Sequence, residues 1–586
     1  MKNLLTSKLF LLFLMCIANL LFMHYYIIST CNIEDGIDIT SYYDNFCGVI
    51  IDVFFLLLLF LLITWGKIRK SLLFCFATTE AWAFCNILYS RFFFRYISFS
   101  AVGQANNLFD WFMVECMIDG IRLSDIYFLL IPILFYLVYR KCPSTVYFNV
   151  HTAYKACLVF FSLITINLLF HLLYCICYPN LRYLSYYSYR LYFTHIDTSR
   201  NMGRPNWTNY HRGSFRTLVS DMADNLHGDI ELSVEQKRII EKSINNSLLR
   251  TTGQHVNSEI NNIIFILVES YTAFTTDMTI EGKEVTPFLN TLSRDSTVYY
   301  NMNMKSNITI GQSSDGQFIY MTGLLPLRSI ITVSRAKEKT LPALPKVIKQ
   351  VFPNMETRMI IPTLPSLWEQ DAMCHAYGFD HLYSSNDFEG KHERNLNDEQ
   401  LFTLAQQLDS KSTSPFFSYI LTMSMHGPYN SVIDNSFIIH EKTYCKELNN
   451  FLNVCHYTDK QIEKYITHLK EHGLYDNSLI IIAPDHQVPE NTVDIEQYGF
   501  TRELPLFIIN GNINKEESWN GSCNQLDVYT TILDLLNINN RWKGLGNSLL
   551  TNSYQNSISN DTWDISEWIL MSNYFGKTTE VVDSVN

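Results

Sequence analysis

The chain has 586 residues and a formal net charge of −12, and its composition is 48% hydrophobic but only 17% charged. This length is too great for one simple domain, and the low charged fraction with abundant Phe and Tyr indicates that part of the chain lies in lipid. The negative charge argues against a general nucleic-acid-binding surface, so no nucleic-acid partner is expected.

Five apolar runs in the first 180 residues predict membrane-spanning helices, since one span takes about 20 residues. The first run lacks a small-residue cleavage pattern and is long for a signal peptide, so we interpret it as a retained anchor. We therefore predict an all-α polytopic membrane domain of about five helices over residues 1–180. The runs are residues 8–28, 46–65, 71–94, 124–140 and 154–178.

Loop charges predict the orientation of these spans, because Lys and Arg concentrate in cytoplasmic loops. The first loop carries Glu34, Asp35 and Asp38 but neither Lys nor Arg. With five spans the N-terminus is cytoplasmic and the chain after residue 180 is extracytoplasmic. Four or six spans would instead leave the large domain inside. The basic residues on the expected cytoplasmic side are Lys2, Lys8, Lys67, Arg69, Lys70, Arg140, Lys141 and Lys155.

Residues 181–258 are predicted to be a juxtamembrane linker. Its first part, LRYLSYYSYRLYF, is rich in Tyr and Arg, which suit the lipid headgroup layer. Further on, SVEQKRIIEKSINNSLL predicts an amphipathic helix in which Ser233 and Gln236 form a capping box. Three apolar residues fall on one face of this helix: Ile239, Ile240 and Ile244.

Residues 259–560 show short apolar runs rich in β-branched residues, and these runs alternate with helical stretches. This alternation predicts an α/β domain with a mostly parallel sheet. A C-terminal tail over residues 561–586 is expected to follow it. The predicted strands are NNIIFILV, ETRMII, FFSYILTM, NSLIIIA and LPLFII.

Polar residues follow three of these strands, where sites form in parallel sheets. Glu269 follows the first strand, His426 follows FFSYILTM, and Asp485 and His486 follow NSLIIIA. Each has a simpler explanation when taken alone: Glu269 beside a helix cap, His426 in a Gly-Pro turn, and an Asp-His pair that merely ends a strand. Together, two carboxylates and an imidazole suit a divalent metal ion. Their joint occurrence therefore predicts a metallohydrolase-like site.

The cysteines give no metal motif. Ten of the 14 lie before residue 180, and the other four include no C-x-x-C pair, so a structural zinc site is not expected. Cys445 and Cys455 are close enough in sequence to close a small disulfide loop in an oxidising compartment. Spacing alone leaves that pairing open.

Several motifs together resemble the lipoteichoic acid synthase branch of the alkaline phosphatase/sulfatase superfamily, with its related phosphoethanolamine and phosphoglycerol transferases. The resemblance covers nearly the whole chain and implies a sulfatase-like catalytic domain outside a bacterial plasma membrane. The matching pieces are IIFILVES, GQSSDGQF, LWEQDAMCHAYGFDHLY, SMHGPY and YTDKQIEKYITHLKEHGLYDNSLIIIAPDH.

The resemblance implies a role for each site residue. Ser313, rather than Ser314, falls at the family's nucleophile, and His426 matches a histidine that contacts the phosphoryl group or the leaving oxygen. Trp368 matches a tryptophan that lines the headgroup pocket, and Gln370 stands at a substrate-binding position. One divalent ion, Mn²⁺ or Zn²⁺ with Mg²⁺ as a further option, is implied. Its ligands would be Glu269, Ser313, Asp485 and His486.

The implied activity is transfer of a phospho-headgroup, phosphoethanolamine or phosphoglycerol, from a phospholipid to an envelope lipid or glycan. A covalent intermediate on Ser313 would carry the headgroup. Two alternatives remain open. One is a sulfatase or phosphodiesterase that hydrolyses exported esters, although no C/S-x-P-x-R motif of formylglycine sulfatases occurs. The other is a non-catalytic domain that binds envelope components.

The chain also departs from the family pattern. Its nucleophile is Ser where the family has Thr, which is a mild chemical change. Ile361 and Thr363 replace a His and an Asp of the glycerol-phosphate pocket, and Gln370 replaces an Arg that would clamp a phosphate through two hydrogen bonds. These departures favour a headgroup other than phosphoglycerol, such as phosphoethanolamine.

Overall fold

The computed structural model describes residues 2–30, 39–93, 95–98, 120–142, 213–218, 229–246 and most of 260–577, with a few isolated positions between 118 and 222. Within 260–577 it leaves out residues 329, 392–394, 441 and 491. The chain divides into two compact units, Met1–Gly228 and Asp229–Asn586.

The N-terminal unit is helical over its described residues, which confirms the predicted all-α class. Three helices are long and apolar enough to cross a bilayer, over Ser7–Thr30, Tyr42–Ile63 and Ile68–Arg91, and a shorter apolar helical stretch covers Leu123–Tyr139. The fifth predicted run, 154–178, lies outside the described residues apart from position 162. The helices are α1 (Lys2–Thr30), α2 (Ile39–Ile63), α3 (Ile68–Phe93) and α4 (Tyr127–Tyr139).

A buried carboxylate within this unit holds part of the predicted linker. Asp52 of α2 is fully buried and accepts hydrogen bonds from the Phe215 backbone N–H at 2.9 Å and from Arg216 Nε at 3.1 Å. Gly213 permits the close approach, since a Cβ there would lie 2.4 Å from an Asp52 oxygen. Residues 213–218 therefore pack within the helical unit.

The C-terminal unit is built on an eight-stranded, mostly parallel sheet in the order β10-β4-β9-β8-β1-β7-β5-β6. The strands from β8 to β6 in this order run parallel, and β9 runs antiparallel to both β8 and β4. The predicted sheet class is thus confirmed. The strands are β1 (Asn262–Val268), β2 (Thr279–Ile280), β3 (Lys283–Glu284), β4 (Tyr299–Lys305), β5 (Glu356–Ile360), β6 (His381–Tyr383), β7 (Phe416–Leu421), β8 (Ser478–Pro484), β9 (Leu504–Ile509) and β10 (Cys523–Asn524), with β2 and β3 forming a separate hairpin.

Helices cover both faces of the sheet, so the central strands are buried throughout, as continuous apolar runs such as IIFILV require. Alternate residues of β1 point to opposite layers. Ile264 and Ile266 join a core with α11 and α12, whereas Phe265 contacts Tyr320 of α7. The helices are α5 (Val234–Asn246), α6 (Pro287–Arg294), α7 (Ser313–Thr322), α8 (Val333–Ala336), α9 (Leu344–Val351), α10 (Gln370–Tyr377), α11 (Asp398–Lys411), α12 (Lys446–Glu471), α13 (Leu526–Leu535), α14 (Asn560–Ser572) and α15 (Tyr574–Lys577).

The amphipathic helix α5 packs against α14, within the part of the chain that the sequence left as a tail. Its predicted capping box forms, with the Ser233 N–H bonding Gln236 Oε1 at 2.9 Å and the Gln236 N–H bonding Ser233 Oγ at 3.2 Å. Ile240 and Ile244 are buried on its apolar face. Both ends of the C-terminal unit therefore join in one helical pair.

Cys445 and Cys455, whose pairing the sequence left open, are both free thiols. Cys445 caps the N-terminus of α12, and Cys455 is buried inside that helix. Ten residues of helix separate their backbones by about 15 Å, whereas a disulfide needs Cα atoms about 4.4–6.8 Å apart. The helical fold of this segment therefore excludes the disulfide.

A buried ion pair connects β5 to α11 beneath the sheet. Arg358 and Asp409 are 1% and 3% exposed and form a salt bridge. The Arg358 Nε also donates to Ser418 Oγ at 2.8 Å, and Tyr465 donates to Asp409 at 2.7 Å. All of the charged groups in this network are thus desolvated and paired.

We expect Arg358→Met to destabilise the C-terminal unit by about 3–5 kcal/mol, because it leaves the Asp409 carboxylate buried without its cation. Thermal unfolding followed by tryptophan fluorescence measures the loss. The double variant Arg358→Met/Asp409→Leu should recover most of it, since an apolar pair can replace a buried ion pair. Arg238 forms a solvent-exposed salt bridge with Glu235, so Arg238→Met should leave the midpoint of thermal unfolding nearly unchanged. An equal loss of stability in Arg238→Met would show that burial of the ion pair is not the cause.

Candidate active site

The carboxyl ends of β8, β1 and β7 lie side by side and bring the predicted residues to one edge of the sheet. Val268 pairs with Pro484 at the last register position of β1 and β8. Glu269 and Asp485, the residues that directly follow these two strands, therefore leave the sheet at the same level along the strand direction. The Glu269 N–H donates to Thr422 Oγ1 at 3.0 Å, which connects this edge to the end of β7.

Three of the predicted metal ligands form one buried cluster. Glu269, Asp485 and His486 are 6%, 2% and 3% exposed, and one ligand atom from each lies within 4.8 Å of the other two. The His486 Nε2 lies 3.5 Å from Glu269 Oε1 and 3.6 Å from Asp485 Oδ2. This is a mixed oxygen and nitrogen donor set.

The orientation of the His486 ring follows from its other nitrogen. Nδ1 lies 2.7 Å from the backbone carbonyl oxygen of Gln487. Because a carbonyl only accepts hydrogen bonds, Nδ1 carries the proton and donates it. In the neutral ring Nε2 then presents its lone pair to the two carboxylates, which is the arrangement common among metal-ligating histidines.

The electrostatics of the cluster also fit a cation. Burial, and then the neighbouring Glu269 carboxylate, raise the pKa of Asp485 to about 7. Burial disfavours the charged form of His486, but the charges of Asp485 and Glu269 outweigh it and raise the pKa of His486. Protons held by these groups would leave when a divalent ion binds. The residues present therefore fit the divalent metal that the sequence implies.

Ser313 lies against this cluster, whereas Ser314 does not. Ser313 Oγ is 3.1 Å from Glu269 Oε2, to which it donates, and 3.1 Å from His486 Nε2. Ser314 is 4% exposed, and its Oγ donates to the Gly311 carbonyl at 2.7 Å. Of these two serines, it is therefore Ser313 that has its hydroxyl at the carboxylate and imidazole groups.

The loop before Ser313 is shaped by one buried carboxylate. Asp315 is fully buried and accepts from Thr309 and Gly311 N–H groups at 2.9 and 2.8 Å and from Thr332 Oγ1 at 2.9 Å. Gln312 has φ 48° and ψ −120°, a backbone region that glycine favours. Asp315 therefore holds a strained turn that delivers Ser313 to the first position of α7, where the helix dipole favours negative charge.

Gly316 explains how α7 can lie so close to the metal cluster. A Cβ at this position would lie 2.2 Å from the backbone oxygen of Asp485. A side chain there would push the nucleophile helix away from the end of β8. The glycine after Ser-Ser-Asp is thus required by a close backbone approach rather than by a turn.

His426 follows β7 on the same edge of the sheet, and the residue as a whole is exposed. Partial loss of water around the ring, and then the charge of His486, lower its pKa. An imidazole at this edge of the sheet can donate a proton in its charged form and accept one in its neutral form.

Trp368 and Gln370 lie in and after a short 3₁₀ turn, Leu367–Glu369, that follows β5 on the same edge. Trp368 and Glu369 have φ of 54° and 55°, and Glu369 pairs with Lys337 at 2.7 Å. Gln370 is buried, and its Oε1 has no hydrogen-bond partner among the described residues. The turn is therefore strained, as is common at functional sites.

Sequence reasoning missed two residues of the inner site. Ser270 has φ 54°, and its N–H and Oγ donate to Asp485 Oδ1 and Glu269 Oε1, both at 2.8 Å. Asp315 shapes the nucleophile loop. Nothing in the local sequence marks Ser270 as a bridge between strands, whereas Asp315, which sits two residues after Ser313, could have been noted as a helix N-terminal acid.

A comparison with family models matches residues 261–538 to the sulfatase family. This stretch contains the whole cluster and the sheet that carries it, so the C-terminal domain is sulfatase-like. The resemblance found in the motifs, to the lipoteichoic acid synthase and phosphoethanolamine transferase branch of the alkaline phosphatase/sulfatase superfamily, is confirmed.

Among curated proteins, lipoteichoic acid synthase 2 of Bacillus subtilis is 28% identical over 301 residues, which are 48% of this chain and 46% of that protein. The matched region thus spans about half the length of that relative. A solved structure of the lipoteichoic acid synthase LtaP from Listeria monocytogenes is 20% identical with a TM-score of 0.45, covering 54% of this chain and 81% of that one. The lipooligosaccharide phosphoethanolamine transferase EptA from Neisseria meningitidis is 13% identical with a TM-score of 0.46, covering 81% and 85%.

Proposed function

We propose that this protein is a metal-dependent membrane phosphotransferase that moves a phospho-headgroup from a phospholipid to an envelope lipid or glycan. The observation that carries the proposal is the position of Ser313 Oγ, 3.1 Å from both Glu269 Oε2 and His486 Nε2. A hydroxyl is a weak nucleophile unless a base or a metal activates it, and this hydroxyl has a carboxylate and an imidazole beside it that can act as a base or hold a metal.

Glu269, Asp485, His486 and Ser313 would hold one divalent cation, for which their oxygen and nitrogen donors suit Mn²⁺, Zn²⁺ or Mg²⁺. When bound, the cation would offset the negative charge of the phosphoryl group and lower the pKa of the Ser313 hydroxyl. The buried pair of carboxylates supports this assignment, because two such charges need a cation between them.

The first step is attack by Ser313 Oγ on the phosphorus of the donor phosphodiester. A bond forms between Oγ and phosphorus, the bond to the diacylglycerol oxygen breaks, and the serine proton passes to water. The N-terminus of α7 adds positive potential where the phosphate would lie. The lipid oxygen takes a proton as it departs, and His426 is the proposed donor.

In the second step the headgroup passes from Ser313 to an acceptor hydroxyl. The acceptor loses its proton as its oxygen bonds to phosphorus, and His426, now neutral, is the proposed base. The bond between Ser313 Oγ and phosphorus breaks, and Oγ regains its hydroxyl proton from water. The use of one imidazole as acid and then as base follows from the symmetry of the two steps.

The donor headgroup is proposed to be phosphoethanolamine rather than phosphoglycerol. Gln370, where relatives of this branch carry an Arg, offers a neutral amide that cannot clamp a phosphate as a guanidinium does. Its buried Oε1, which lacks a partner among the described residues, would suit a hydrogen-bond donor such as an ammonium group. Trp368 would form part of the wall of the same pocket.

The proposed place of reaction is the outer face of a bacterial plasma membrane. In the part of the chain that the structure describes, three helices are long and apolar enough to cross a bilayer, and the basic loops predict a cytoplasmic N-terminus. A catalytic unit anchored in this way would lie beside its lipid donor, so the donor need not leave the membrane.

The proposal is tested with the full chain reconstituted into vesicles that contain Mn²⁺ and either phosphatidylethanolamine or phosphatidylglycerol. We expect release of diacylglycerol from phosphatidylethanolamine and a peptide containing Ser313 that is heavier by one phosphoethanolamine group in mass spectrometry. Vesicles treated with a chelator serve as the control. Release from neither lipid would overturn the proposed transfer, and release from phosphatidylglycerol alone would overturn the proposed headgroup.

A further inference from the structure

A fully buried amide, Gln525, lies directly behind the candidate active site. It precedes α13, on the face of the sheet opposite to α11 and α12, and its backbone N–H donates to the Lys305 carbonyl at 3.1 Å. No sequence motif in the site includes it. Its side chain nevertheless contacts the two segments that carry the nucleophile and a metal ligand.

The amide nitrogen of Gln525 holds the end of β8. Nε2 donates to the backbone carbonyl of Asp485 at 2.7 Å. It also lies 3.2 Å from the Tyr320 hydroxyl and 3.5 Å from the Pro484 carbonyl. The Tyr320 hydroxyl itself donates to Pro484 at 2.8 Å. The carbonyls of the two residues at the strand end are thus held by one amide and one phenol.

The amide oxygen of Gln525 holds the start of the nucleophile loop. Oε1 accepts from the Asn307 N–H at 2.8 Å and from Ser306 Oγ at 3.2 Å. These residues follow β4 directly and lead within a few residues to Ser313. One planar amide therefore fixes the distance between the loop that delivers the nucleophile and the strand end that delivers Asp485.

Tyr320 adds the third connection, because it lies two turns along α7 from Ser313. With Gly316 of the same helix against the Asp485 backbone, α7 has contact with the strand end at both of these positions. A small movement of Gln525 would change the position of Asp485 relative to Ser313, since protein interiors are close-packed and transmit displacements.

We propose that Gln525 is a positioning residue, with Tyr320 as its partner, that sets the metal-binding geometry of Asp485 and the approach of Ser313. This inference rests on the proposed function only in assuming that Glu269, Asp485 and His486 bind a metal. Gln525 touches no reacting atom. It acts through the backbone of a ligand, as the outer-shell hydrogen bonds of metal sites do.

The test compares Gln525→Met with Asn453→Leu in the full chain, solubilised in detergent. Both changes replace a buried amide by an apolar side chain of similar size. Asn453 is 1% exposed and also bonds several backbone groups: it donates to the Asp434 and Phe437 carbonyls and accepts from the Ile433 N–H. The segment that Asn453 holds, residues 433–437, contains none of the candidate site residues. Both substitutions should therefore lower the stability of the fold, but only the one at Gln525 removes a hydrogen bond to Asp485.

The readouts are the Mn²⁺ dissociation constant from isothermal titration calorimetry and the melting temperature. We expect both variants to lower the melting temperature. Only Gln525→Met should raise the Mn²⁺ dissociation constant, by about tenfold, in line with losses at outer-shell hydrogen bonds. For headgroup release we expect kcat to fall and KM for the lipid to stay within about twofold, because the lipid pocket is not touched.

A milder variant, Tyr320→Phe, keeps the test decisive if Gln525→Met does not fold. It removes only the hydroxyl between Gln525 and Pro484 and should raise the Mn²⁺ dissociation constant about threefold. Because Tyr320 and Gln525 belong to one hydrogen-bond network, the effects of the two substitutions are not expected to add. Equal Mn²⁺ affinity in wild type and both site variants would overturn the inference. A wild type that binds Mn²⁺ but releases no headgroup would overturn the proposed function and leave this comparison valid. A wild type that binds none of Mn²⁺, Zn²⁺ and Mg²⁺ would overturn both.

Discussion

Ser313→Ala is expected to reduce headgroup release by at least about a thousandfold, because it removes the hydroxyl that is proposed to form the bond to phosphorus. Ser313 Oγ lies 3.1 Å from Glu269 Oε2 and His486 Nε2. The measurement is diacylglycerol release from phosphatidylethanolamine vesicles, with mass spectrometry of the peptide that contains position 313. The variant should show no added headgroup mass.

The neighbouring serine provides a matched control of the same size and chemistry. Ser314→Ala removes one hydrogen bond to Gly311, at 2.7 Å, which is worth about 1 kcal/mol. It should lower the melting temperature by a few degrees and weaken activity by no more than about tenfold. Loss of activity in Ser314→Ala with retention in Ser313→Ala would mean that the wrong serine has been assigned as nucleophile.

Glu269→Gln is expected to weaken Mn²⁺ binding by about 100-fold or more and to abolish transfer, since it removes a charged ligand and not merely an outer contact. A shift in melting temperature on addition of Mn²⁺ measures the binding, because a ligand that binds only the folded state stabilises it. Wild type should show a clear rise and the variant little or none.

In the metal-free protein, the same substitution should not lower the melting temperature. The Glu269 charge is one of the causes that raise the pKa of Asp485 to about 7, so the two carboxylates repel each other when both are ionised. At pH 8 and in the presence of a chelator, Glu269→Gln should therefore melt at a temperature equal to or higher than wild type. Glu399→Gln, at a surface pair with Lys464, should change neither result. If Mn²⁺ still raised the melting temperature of Glu269→Gln as much as that of wild type, Glu269 would be excluded as a metal ligand.

The strands and the polar residues that follow them could be predicted from the sequence because both signals are local. A buried parallel strand must be a continuous apolar run, and its first polar residue must emerge at the sheet edge. Glu269, Asp485 and His486 were found in this way, and the motif around Ser313 came from the resemblance. The predicted sheet and all-α N-terminal classes followed from the same short-range patterns.

What the sequence could not predict depends on contacts between distant segments. Gln525 lies 40 residues after Asp485 and looks like any polar residue before an amphipathic helix. The α5 segment was recognised as an amphipathic helix, but nothing in its own sequence identifies α14 as the surface that buries Ile240 and Ile244. The Cys445–Cys455 pairing was left open by spacing and was excluded only by the helix between them.

The pairing of α5 with α14 also determines where the catalytic unit could be cut from its anchor by a protease. Asp229 pairs with Lys577 at 3.5 Å, and the Ile230 N–H bonds the Met571 carbonyl at 3.1 Å. Cleavage before Asp229 would release a fragment that keeps this helical pair intact. Cleavage after Asn246 would strip away α5 and leave the apolar side of α14 bare to water. A stable fragment of the C-terminal unit would therefore have to begin upstream of α5.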